Sequence, residues 1–504
     1  MRPHSLIGIR YSTTPPGTVV NGDSSVKADV FIEGEKIVRV APDLSKDERY
    51  SKASLVIDAT DKLIIPAGID PHTHMQLPFM GEVACDDFES GTKAAVAGGT
   101  GTIIDFVIPA RNQSLNEAFQ TWSDWAKKSV CDYAFHMAIS HWDDNTAKEM
   151  EQMVNEKGIT SFKHFTAYKG ALMLQDDELI KSYTTARRLG AIVTNHCENG
   201  EMVTAGQRAM KENGIFGPEG HPQSRPVICE EEATNRVARI AETVGVPVYV
   251  VHCSCKESSD VIARAKSRGQ RIYGEALAGH LTIDDSHYYH EDWDYAAAYV
   301  MSPPFRPPEH QAALWNAIQS GTIQTTATDH CPFNRRQKRM GLKDFTRIPN
   351  GCAGVEERLA ILWNAGVNTG KITPNEFVNI TSTNTAKIFG LFPRKGLIAE
   401  GSDADVVIWD PAREITWSAK THHSRVDMSV FEGVTCRGAC EATFVRGRLA
   451  YRDGEIFAKA GDGQYIPRKP FAPFIYEGLE KRVNAPRKTE RNMEALPDLA
   501  AKAE

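Results

Sequence analysis

The sequence has 504 residues, a formal net charge of −7 and 41% hydrophobic residues, which is an ordinary globular composition. Lysine and arginine are interspersed with acidic residues, so we expect no binding to nucleic acid or to an anionic membrane. The ten cysteines, some as close as Cys253 and Cys255, do not resemble a disulfide framework, and we find no secretory signal or apolar run of about 18 residues, so a cytoplasmic location is expected.

The two ends of the chain are predicted to form short β-strands. Residues 28–40 have the pattern of two strands around a Glu-Gly turn, which is typical of a hairpin. Residues 396–410 and 443–456 have the same sequence pattern, short strands separated by Gly or Asp-Gly turns. We therefore predict one small β-sandwich that is built from residues 1–65 and 396–459.

The middle of the chain, residues 66–395, alternates buried-looking strands with amphipathic helices, as repeated βα units do. Eight strands are predicted, at residues 63–74, 101–109, 133–141, 159–165, 191–197, 246–253, 271–276 and 322–329. Helices are predicted at residues 115–130, 177–189, 229–244, 258–268 and 309–320. The predicted fold class is therefore α/β, a (β/α)8 TIM-like barrel with the small β-sandwich as a second domain.

The tail, residues 460–504, differs from the rest of the chain because it is rich in proline and mixed charge. A segment of this composition does not form a core alone. We predict that it is an extended arm or a partly disordered segment.

Histidines and one aspartate stand at the ends of four predicted strands, where reacting groups of such barrels gather. His72 and His74 are two residues apart, so their imidazoles point to the same face of an extended segment. His196, His252 and Asp329 end the fifth, sixth and eighth strands. A single histidine is more often an ordinary core or surface residue, but this coincidence at one rim predicts a metal site.

Lys163 lies in the fourth strand and points inward, toward the predicted metal ligands. Near cations and away from water its pKa falls, and addition of carbon dioxide to the neutral amine would give a carbamate that can bridge two metals. The alternative is a lysine that reaches solvent or pairs with a carboxylate. This segment alone favours the alternative.

Six segments together resemble the metal-dependent amidohydrolases, and within them the dihydropyrimidinase and hydantoinase family. They are residues 66–80, 161–169, 251–258, 301–306, 327–333 and 347–351, which include the sequences Asp-Pro-His-Thr-His, Ser-Phe-Lys-His-Phe, Val-His-Cys-Ser-Cys and Ala-Thr-Asp-His-Cys-Pro. The resemblance extends to about residue 460. One departure is Cys197 after His196, where relatives more often have alanine. Since the two side chains are similar in size, we expect no change in ligation, and Cys197, Cys253 and Cys255 are interpreted as buried small residues.

The resemblance implies a site with two divalent metal ions, usually zinc, with manganese or cobalt as alternatives. It implies that His72 and His74 hold the more buried ion, that His196 and His252 hold the other, that Lys163 carries the bridging carbamate, and that Asp329 binds the first ion. It also implies that Asp329 is the general base and acid and Tyr168 the oxyanion donor. The main-chain groups of Ser302 and Asn350 would bind the cyclic imide or ureide edge of the substrate.

The implied reaction is hydrolysis of the cyclic amide of 5,6-dihydrouracil, dihydrothymine or hydantoins to N-carbamoyl amino acids, in reductive pyrimidine catabolism. A hydantoinase that acts mainly on 5-substituted hydantoins is the alternative, and the loops 77–80 and 168–173 would decide between them. A non-catalytic scaffold like the collapsin response mediator proteins is disfavoured because all six ligand positions carry competent side chains. Allantoinases and dihydroorotases are more distant alternatives. The resemblance also suggests a homotetramer in which the tail crosses to a neighbour.

Overall fold

The amino-terminal part of the chain forms seven strands in the computed structural model, which describes residues 6–10, 17–44, 47–49, 52–476 and 488–491. These strands are β1 (Leu6–Arg10), β2 (Thr18–Val20), β3 (Ser25–Lys27), β4 (Asp29–Glu33), β5 (Lys36–Ala41), β6 (Leu55–Asp58) and β7 (Leu63–Pro66). Strands β4 and β5 form the predicted hairpin, and Gly34 in its turn has a φ of 61°. One sheet contains four of these strands in the order β5-β4-β1-β6.

The parallel barrel that the sequence predicts is confirmed. Its strands are β8 (Gly68–Thr73) and, beyond a short hairpin of β9 (Pro78–Phe79) and β10 (Glu82–Val83), β11 (Thr100–Val107), β12 (Asp132–Ala138), β13 (Ser161–Phe165), β14 (Ile192–His196), β15 (Val248–Val250), β16 (Ile272–Leu277) and β17 (Thr325–Ala327). A bridge between Thr73 and His330 joins the first and last strands. Arg358 strengthens this seam because it donates to the carbonyl oxygens of Ile69 and Thr326 at 2.9 Å each.

Helices follow the barrel strands. The described residues contain α1 (Phe88–Ala97), α2 (Leu115–Ala126), α3 (Thr146–Asn155), α4 (Asp176–Arg188), α5 (Gly200–Glu212), α6 (Gly220–Gln223), α7 (Val227–Val244), α8 (Lys256–Ser267), α9 (Trp293–Ala298), α10 (Pro308–Gln319), α11 (Arg335–Lys338), α12 (Arg358–Leu362), α13 (Pro374–Val378) and α14 (Asn384–Ile388). Short 3₁₀ helices lie at Asp285–Tyr289, Arg339–Gly341 and Phe345–Arg347, and π-helical turns at Trp363–Val367 and Asn379–Thr383. The five predicted helices correspond to α2, α4, α7, α8 and α10. None of the helices in the described ranges is long and apolar enough to cross a membrane.

The predicted β-sandwich from both chain ends is also confirmed. The carboxyl-terminal strands β18 (Val406–Thr416), β19 (Thr435–Val445), β20 (Arg448–Arg452) and β21 (Glu455–Ile456) join β7, β2 and β3 in a seven-stranded sheet. Strand β7 pairs antiparallel with β18. One hydrophobic core lies between this sheet and the four-stranded sheet, and it includes Ile32, Ile64 and Phe444.

The predicted first strand, residues 63–74, is wrong as a single element. The structure divides it at Ala67, so that β7 belongs to the sandwich and β8 to the barrel. The amide of Ala67 donates to the carbonyl of Asp405 at 3.0 Å, whereas the next amide, of Gly68, donates to Gly99 at 2.9 Å. Because both sheets bury their part of the apolar run, periodicity could not reveal the change of sheet.

Part of the predicted arm, residues 460–476, is ordered across the amino-terminal end of the barrel. The carbonyl of Gln464 accepts from the amide of Tyr133 at 2.9 Å, and the amide of Arg468 donates to the carbonyl of Gly158 at 2.8 Å. The side chain of Ile466 is buried inside the barrel end. This part of the tail therefore packs on its own chain, whereas residues 477–487 and 492–504 lie outside the described residues.

Candidate metal centre and substrate pocket

One cavity at the carboxyl ends of the barrel strands brings together all the site residues that the sequence predicts. They are His72, His74, Lys163, Tyr168, His196, His252, Ser302, Asp329 and Asn350. Strand β8 contains His72 and directly precedes His74, while β13 contains Lys163 and β14 ends at His196. His252 and Asp329 come two residues after the ends of β15 and β17, respectively. The parallel arrangement places these strand ends at one rim, which is why residues far apart in the sequence meet.

His72 and His74 point at one carboxylate. Nε2 of His72 lies 3.1 Å from Oδ1 of Asp329, and Nε2 of His74 lies 2.9 Å from the same oxygen. Burial opposes ionisation of Asp329, but the two imidazoles hold its pKa well below the usual range. Burial also lowers the pKa of His74 to about 4. Burial opposes a charge on His72, but Asp329 and Glu275 raise its pKa above the usual value. An anionic carboxylate, the neutral imidazole of His74 and a nitrogen of His72 therefore converge, which is a donor set for a divalent cation.

His196 and His252 form a second pair. Nδ1 of His196 lies 2.9 Å from Nε2 of His252. On the other side of its ring, Nε2 of His196 lies 2.9 Å from Oε2 of Glu198, to which Arg225 donates at 2.6 Å. Burial opposes the charge of Glu198, but Arg225 holds its pKa below the usual range. Glu198 thus favours a proton on Nε2 and leaves the Nδ1 lone pair of His196 for a ligand.

Lys163 lies in the same cavity and is 1% exposed. Its ammonium sits 4.4 Å from the centre of the Phe106 ring, and the described part of the chain places no ion-pair partner on it. Burial lowers the pKa of Lys163 to about 8, so about a tenth of it is the neutral amine at pH 7, far more than for an ordinary lysine. The solvent-exposed or carboxylate-paired lysine that the sequence left as an alternative is therefore not the arrangement found.

Glu275 is a functional candidate that the sequence analysis missed. Its Oε1 accepts from Nδ1 of His72 at 2.7 Å and from the main-chain amide of His252 at 2.9 Å. Its Oε2 accepts from the hydroxyl of Tyr249 at 2.8 Å. One fully buried carboxylate therefore orients a residue from each histidine pair. The signal was present in the sequence, because an acidic residue lies in the middle of an otherwise uncharged barrel strand.

Two more buried carboxyl groups brace the segment around His72 and His74. Oδ2 of Asp105 accepts from the hydroxyl of Thr73 at 2.7 Å and from the amide of Met75 at 2.8 Å. Burial raises the pKa of Asp105 to about 8. Asp70 accepts from the hydroxyl of Thr328 at 2.6 Å and so ties the first strand to the residue before Asp329. These bonds tie the segment to β11 on one side and to the end of the last barrel strand on the other.

Three of the predicted site residues have left-handed backbone conformations. The φ angles are 62° at Tyr168, 38° at His252 and 52° at Asp329. Such conformations cost about 1–3 kcal/mol each for residues other than glycine, and they persist only where surrounding contacts enforce them. The bond from the His252 amide to Glu275 is one such contact. This clustering of strain indicates a site that is built for function.

Tyr168, Ser302 and Asn350 form one wall of the cavity. Tyr168 lines the cavity together with Ser302, whose Oγ accepts from Nδ2 of Asn350 at 2.9 Å. Burial raises the pKa of Tyr168 well above its usual value, so the phenol keeps its proton. It is therefore available as a hydrogen-bond donor to a developing anion.

An outer cavity of about 630 Å³ opens onto this site. It shares Phe79, Ile108, Tyr168, Leu172 and Asn350 with the inner cavity. The β9–β10 hairpin and the loop after β13 form part of its lining, as the sequence analysis expected of the loops 77–80 and 168–173. Its other apolar lining residues include Trp122, Trp125 and Val203.

The three cysteines next to the predicted ligands are buried thiols. Cys197, Cys253 and Cys255 are free, and burial raises the pKa of each above its usual value. They are therefore neutral and are not thiolate ligands. Their interpretation as small buried residues agrees with this environment.

The donor set fits a pair of divalent cations. Two imidazoles and Asp329 converge at one point, and two further imidazole nitrogens face each other at 2.9 Å. The amine of Lys163, which has no ion-pair partner among the described residues, lines the same cavity. Carboxylates hold the outer nitrogens of His72 and His196, as second contacts of metal-binding histidines commonly do. The chemistry of these atoms suits zinc, manganese or cobalt.

Comparisons with known proteins agree with this geometry. The model of the amidohydrolase family matches residues 63–450. The chain is 47% identical to a dihydropyrimidinase of Rattus norvegicus over 468 residues, which are 92% of this chain and 90% of that protein. It is similar in structure to a dihydropyrimidinase from Brevibacillus agri, with a TM-score of 0.89, 42% identity and coverage of 93% of this chain and 99% of that one. A D-hydantoinase from a Bacillus species also has a TM-score of 0.89, with 43% identity and coverage of 92% and 100%.

Proposed function

The chain belongs to the amidohydrolase family, and from this premise we propose that it is a dihydropyrimidinase. It would hydrolyse the cyclic amide bond of 5,6-dihydrouracil and dihydrothymine to N-carbamoyl amino acids, in reductive pyrimidine catabolism. The observation that carries the proposal is the convergence of four imidazoles, Lys163 and Asp329 in one cavity beside Tyr168. The high identity to a named dihydropyrimidinase supports the choice of substrate.

We propose that His72, His74 and Asp329 hold one divalent ion, that His196 and His252 hold the other, and that Lys163 bridges them as a carbamate. When bound, such ions supply a hydroxide nucleophile at neutral pH by lowering the pKa of a shared water molecule. Zinc is our first choice. The lowered pKa of Lys163 supports the carbamate, since carbon dioxide adds to the neutral amine.

The remaining steps belong to the side chains around the substrate. Asp329 accepts the proton of the nucleophile and returns it to the leaving ring nitrogen, so one carboxylate acts as base and then as acid. Tyr168 donates a hydrogen bond to the carbonyl oxygen, where negative charge develops. The main-chain groups of Ser302 and Asn350 bind the imide edge and fix the ring against these groups.

The experiment is steady-state ring opening of dihydrouracil beside unsubstituted and 5-substituted hydantoins, with zinc-loaded protein in bicarbonate. We expect the highest kcat/KM for dihydrouracil, and no activity for Lys163→Ala. Lys181→Ala is the control, because Lys181 is an exposed residue of α4 that pairs with Asp177 and lines neither cavity. Failure of the zinc-loaded protein to open any cyclic amide would refute the proposed substrate class.

A D-hydantoinase is the second candidate, and the outer cavity is the observation that favours it. Its volume of about 630 Å³ and its apolar lining offer room for a large substituent on a five-membered ring, which dihydrouracil lacks. In the same assay, a higher kcat/KM for 5-aryl hydantoins than for dihydrouracil would establish this alternative.

We also propose a cytoplasmic homotetramer. The free state of all ten cysteines supports a reducing compartment, and the similarity to dihydropyrimidinases and D-hydantoinases supports the assembly. Light scattering of the purified chain tests the assembly. A monomeric mass at micromolar concentration would contradict it.

A further inference from the structure

Lys338 is a buried lysine whose charge the proposed reaction does not use. It is the last residue of α11 and is 1% exposed. Its ammonium donates to the carbonyl oxygens of Val300 at 2.7 Å and of Gly351 at 2.8 Å. Within the described part of the chain, no carboxylate forms an ion pair with it.

This environment is unfavourable for a cation. The neighbours of the ammonium include the ring of Phe333, 5.9 Å away, and the neutral thiols of Cys331 and Cys352. Burial lowers the pKa of Lys338 to about 8. A buried charge that contacts only carbonyl oxygens is a poor way to gain stability, because desolvation opposes it. We therefore look for the role of Lys338 in the two main-chain segments that these carbonyl groups belong to.

The two carbonyl groups belong to the two segments that carry Ser302 and Asn350. Val300 lies two residues before Ser302, and Gly351 directly follows Asn350. The amide of Gly351 donates to the carbonyl of Val300 at 3.0 Å, and Nδ2 of Asn350 donates to Oγ of Ser302 at 2.9 Å. The ammonium therefore joins the two segments directly beneath the wall that faces the substrate.

The same segments are fixed relative to Asp329. Gly351 has a φ of 149°, and a Cβ atom there would lie 2.2 Å from the carbonyl oxygen of Cys331. The amide of Cys331 donates to the carbonyl of Cys352 at 3.0 Å. Cys331 is two residues after Asp329, so the contacts run without interruption from the proposed base to the proposed substrate wall.

We propose that Lys338 is a positioning residue that fixes the separation of the Ser302 and Asn350 main chains, so that both contact the imide edge of the substrate at once. The proposal rests on the proposed function for its substrate. It does not involve the metal ligands. Loss of the ammonium should therefore weaken substrate binding while the metal content stays at its wild-type value.

The test compares Lys338→Met, which keeps the chain length without a donor, with Lys338→Gln, which keeps a donor for one carbonyl. Lys343→Met is the matched control, because Lys343 is exposed five residues further along the same loop. We expect KM for dihydrouracil to rise about tenfold or more in Lys338→Met, with a smaller rise in Lys338→Gln and a smaller change in kcat. Metal analysis should give equal occupancy in all four proteins.

Hydrogen exchange of the same metal-loaded proteins without substrate tests, independently of activity, whether Lys338 holds the two main-chain segments together. Faster exchange is expected in peptides that cover 298–303 and 349–353, and unchanged exchange in peptides that cover 72–75. Unaltered exchange at the first two segments would overturn the proposal, and so would altered exchange with an unaltered KM. If Lys338→Met does not fold, the same two measurements on Lys338→Gln test the proposal. Inactivity of the wild type would instead reject the proposed function. The exchange result would still show whether Lys338 holds the two main-chain segments together.

Discussion

Glu275 offers the sharpest test of how the site is held together, because one buried carboxylate serves three donors. Glu275→Gln keeps the shape and one acceptor oxygen for Nδ1 of His72 and the amide of His252, but removes the charge. Loss of such a second contact typically weakens metal affinity about 10–100-fold, which is about 1.4–2.7 kcal/mol. Glu275→Ala leaves Nδ1 of His72 and the amide of His252 without an acceptor, whereas the hydroxyl of Tyr249 keeps Oγ1 of Thr325 at 2.6 Å. At about 1–3 kcal/mol for each buried unsatisfied group, the loss is about 2–6 kcal/mol, a large share of a typical total stability of about 5–15 kcal/mol.

The assay is competition for zinc between the protein and a chelator, followed by activity at saturating zinc. We expect Glu275→Gln to need about 10–100-fold more free zinc and to regain most of its activity at saturation, and Glu275→Ala to be recovered in low yield. Tyr249→Phe is the control, because it removes one donor to Glu275 and leaves both histidine contacts in place. Wild-type zinc affinity in Glu275→Gln would refute the reasoning that this carboxylate orients the ligands.

Four further predictions follow from the structure. Tyr168→Phe should lower kcat by about 10²–10³-fold with unchanged metal content, and a wild-type kcat would remove Tyr168 from the reaction. Removal of metal by dialysis against a chelator should lower Tm, and zinc should restore it, because ions bound only to the native state stabilise it by about 2.7 kcal/mol at a hundredfold excess over Kd. Burial opposes the charge of His422, but Glu357 raises the pKa of His422 from 6.5 to about 9. Protonated His422 therefore stabilises the fold below about pH 6.5, and this contribution is lost as the pH rises to 9. The Tm difference between wild type and His422→Gln should therefore shrink across that range, and a difference that is independent of pH would contradict the ion pair. Truncation after Lys459 should give a lower Tm than truncation after Tyr476, since only the first removes Ile466 and Arg468 from the barrel end; equal Tm values would show that this packing is dispensable.

The barrel and its ligand rim could be predicted from the sequence because each depends on a local pattern. Eight apolar runs separated by helices indicated the strands, and parallel strands bring their carboxyl ends together. The spacing of His72 and His74 and the positions of His196, His252 and Asp329 after strands were therefore sufficient to bring distant residues into one site.

The supporting carboxylates were missed because their roles depend on contacts between distant strands. Glu275 lies 203 residues from His72, and nothing near it in the sequence reveals what its oxygens accept. The change of sheet at Ala67 was missed for a related reason, since the partner of β7 is β18 at the other end of the chain. The packing of residues 460–476 on the barrel could not be predicted because composition indicates only whether a segment forms its own core, and here the barrel supplies the core.

The pairing of β7 with β18 also constrains how the molecule folds during synthesis. Ile64 pairs with Ile408, so about 340 further residues must leave the ribosome after β7 before this ladder begins to form. The barrel strands leave the ribosome before β18 and β19. In the native protein β19 packs on α1, where Thr443 donates to the carbonyl of Val96. This surface of the barrel stays uncovered until β19 has been synthesised. Contacts of such high sequence separation slow the last step of folding and leave an exposed sheet edge meanwhile. Production of this protein should therefore depend on slow synthesis or chaperones more than its native stability alone would indicate.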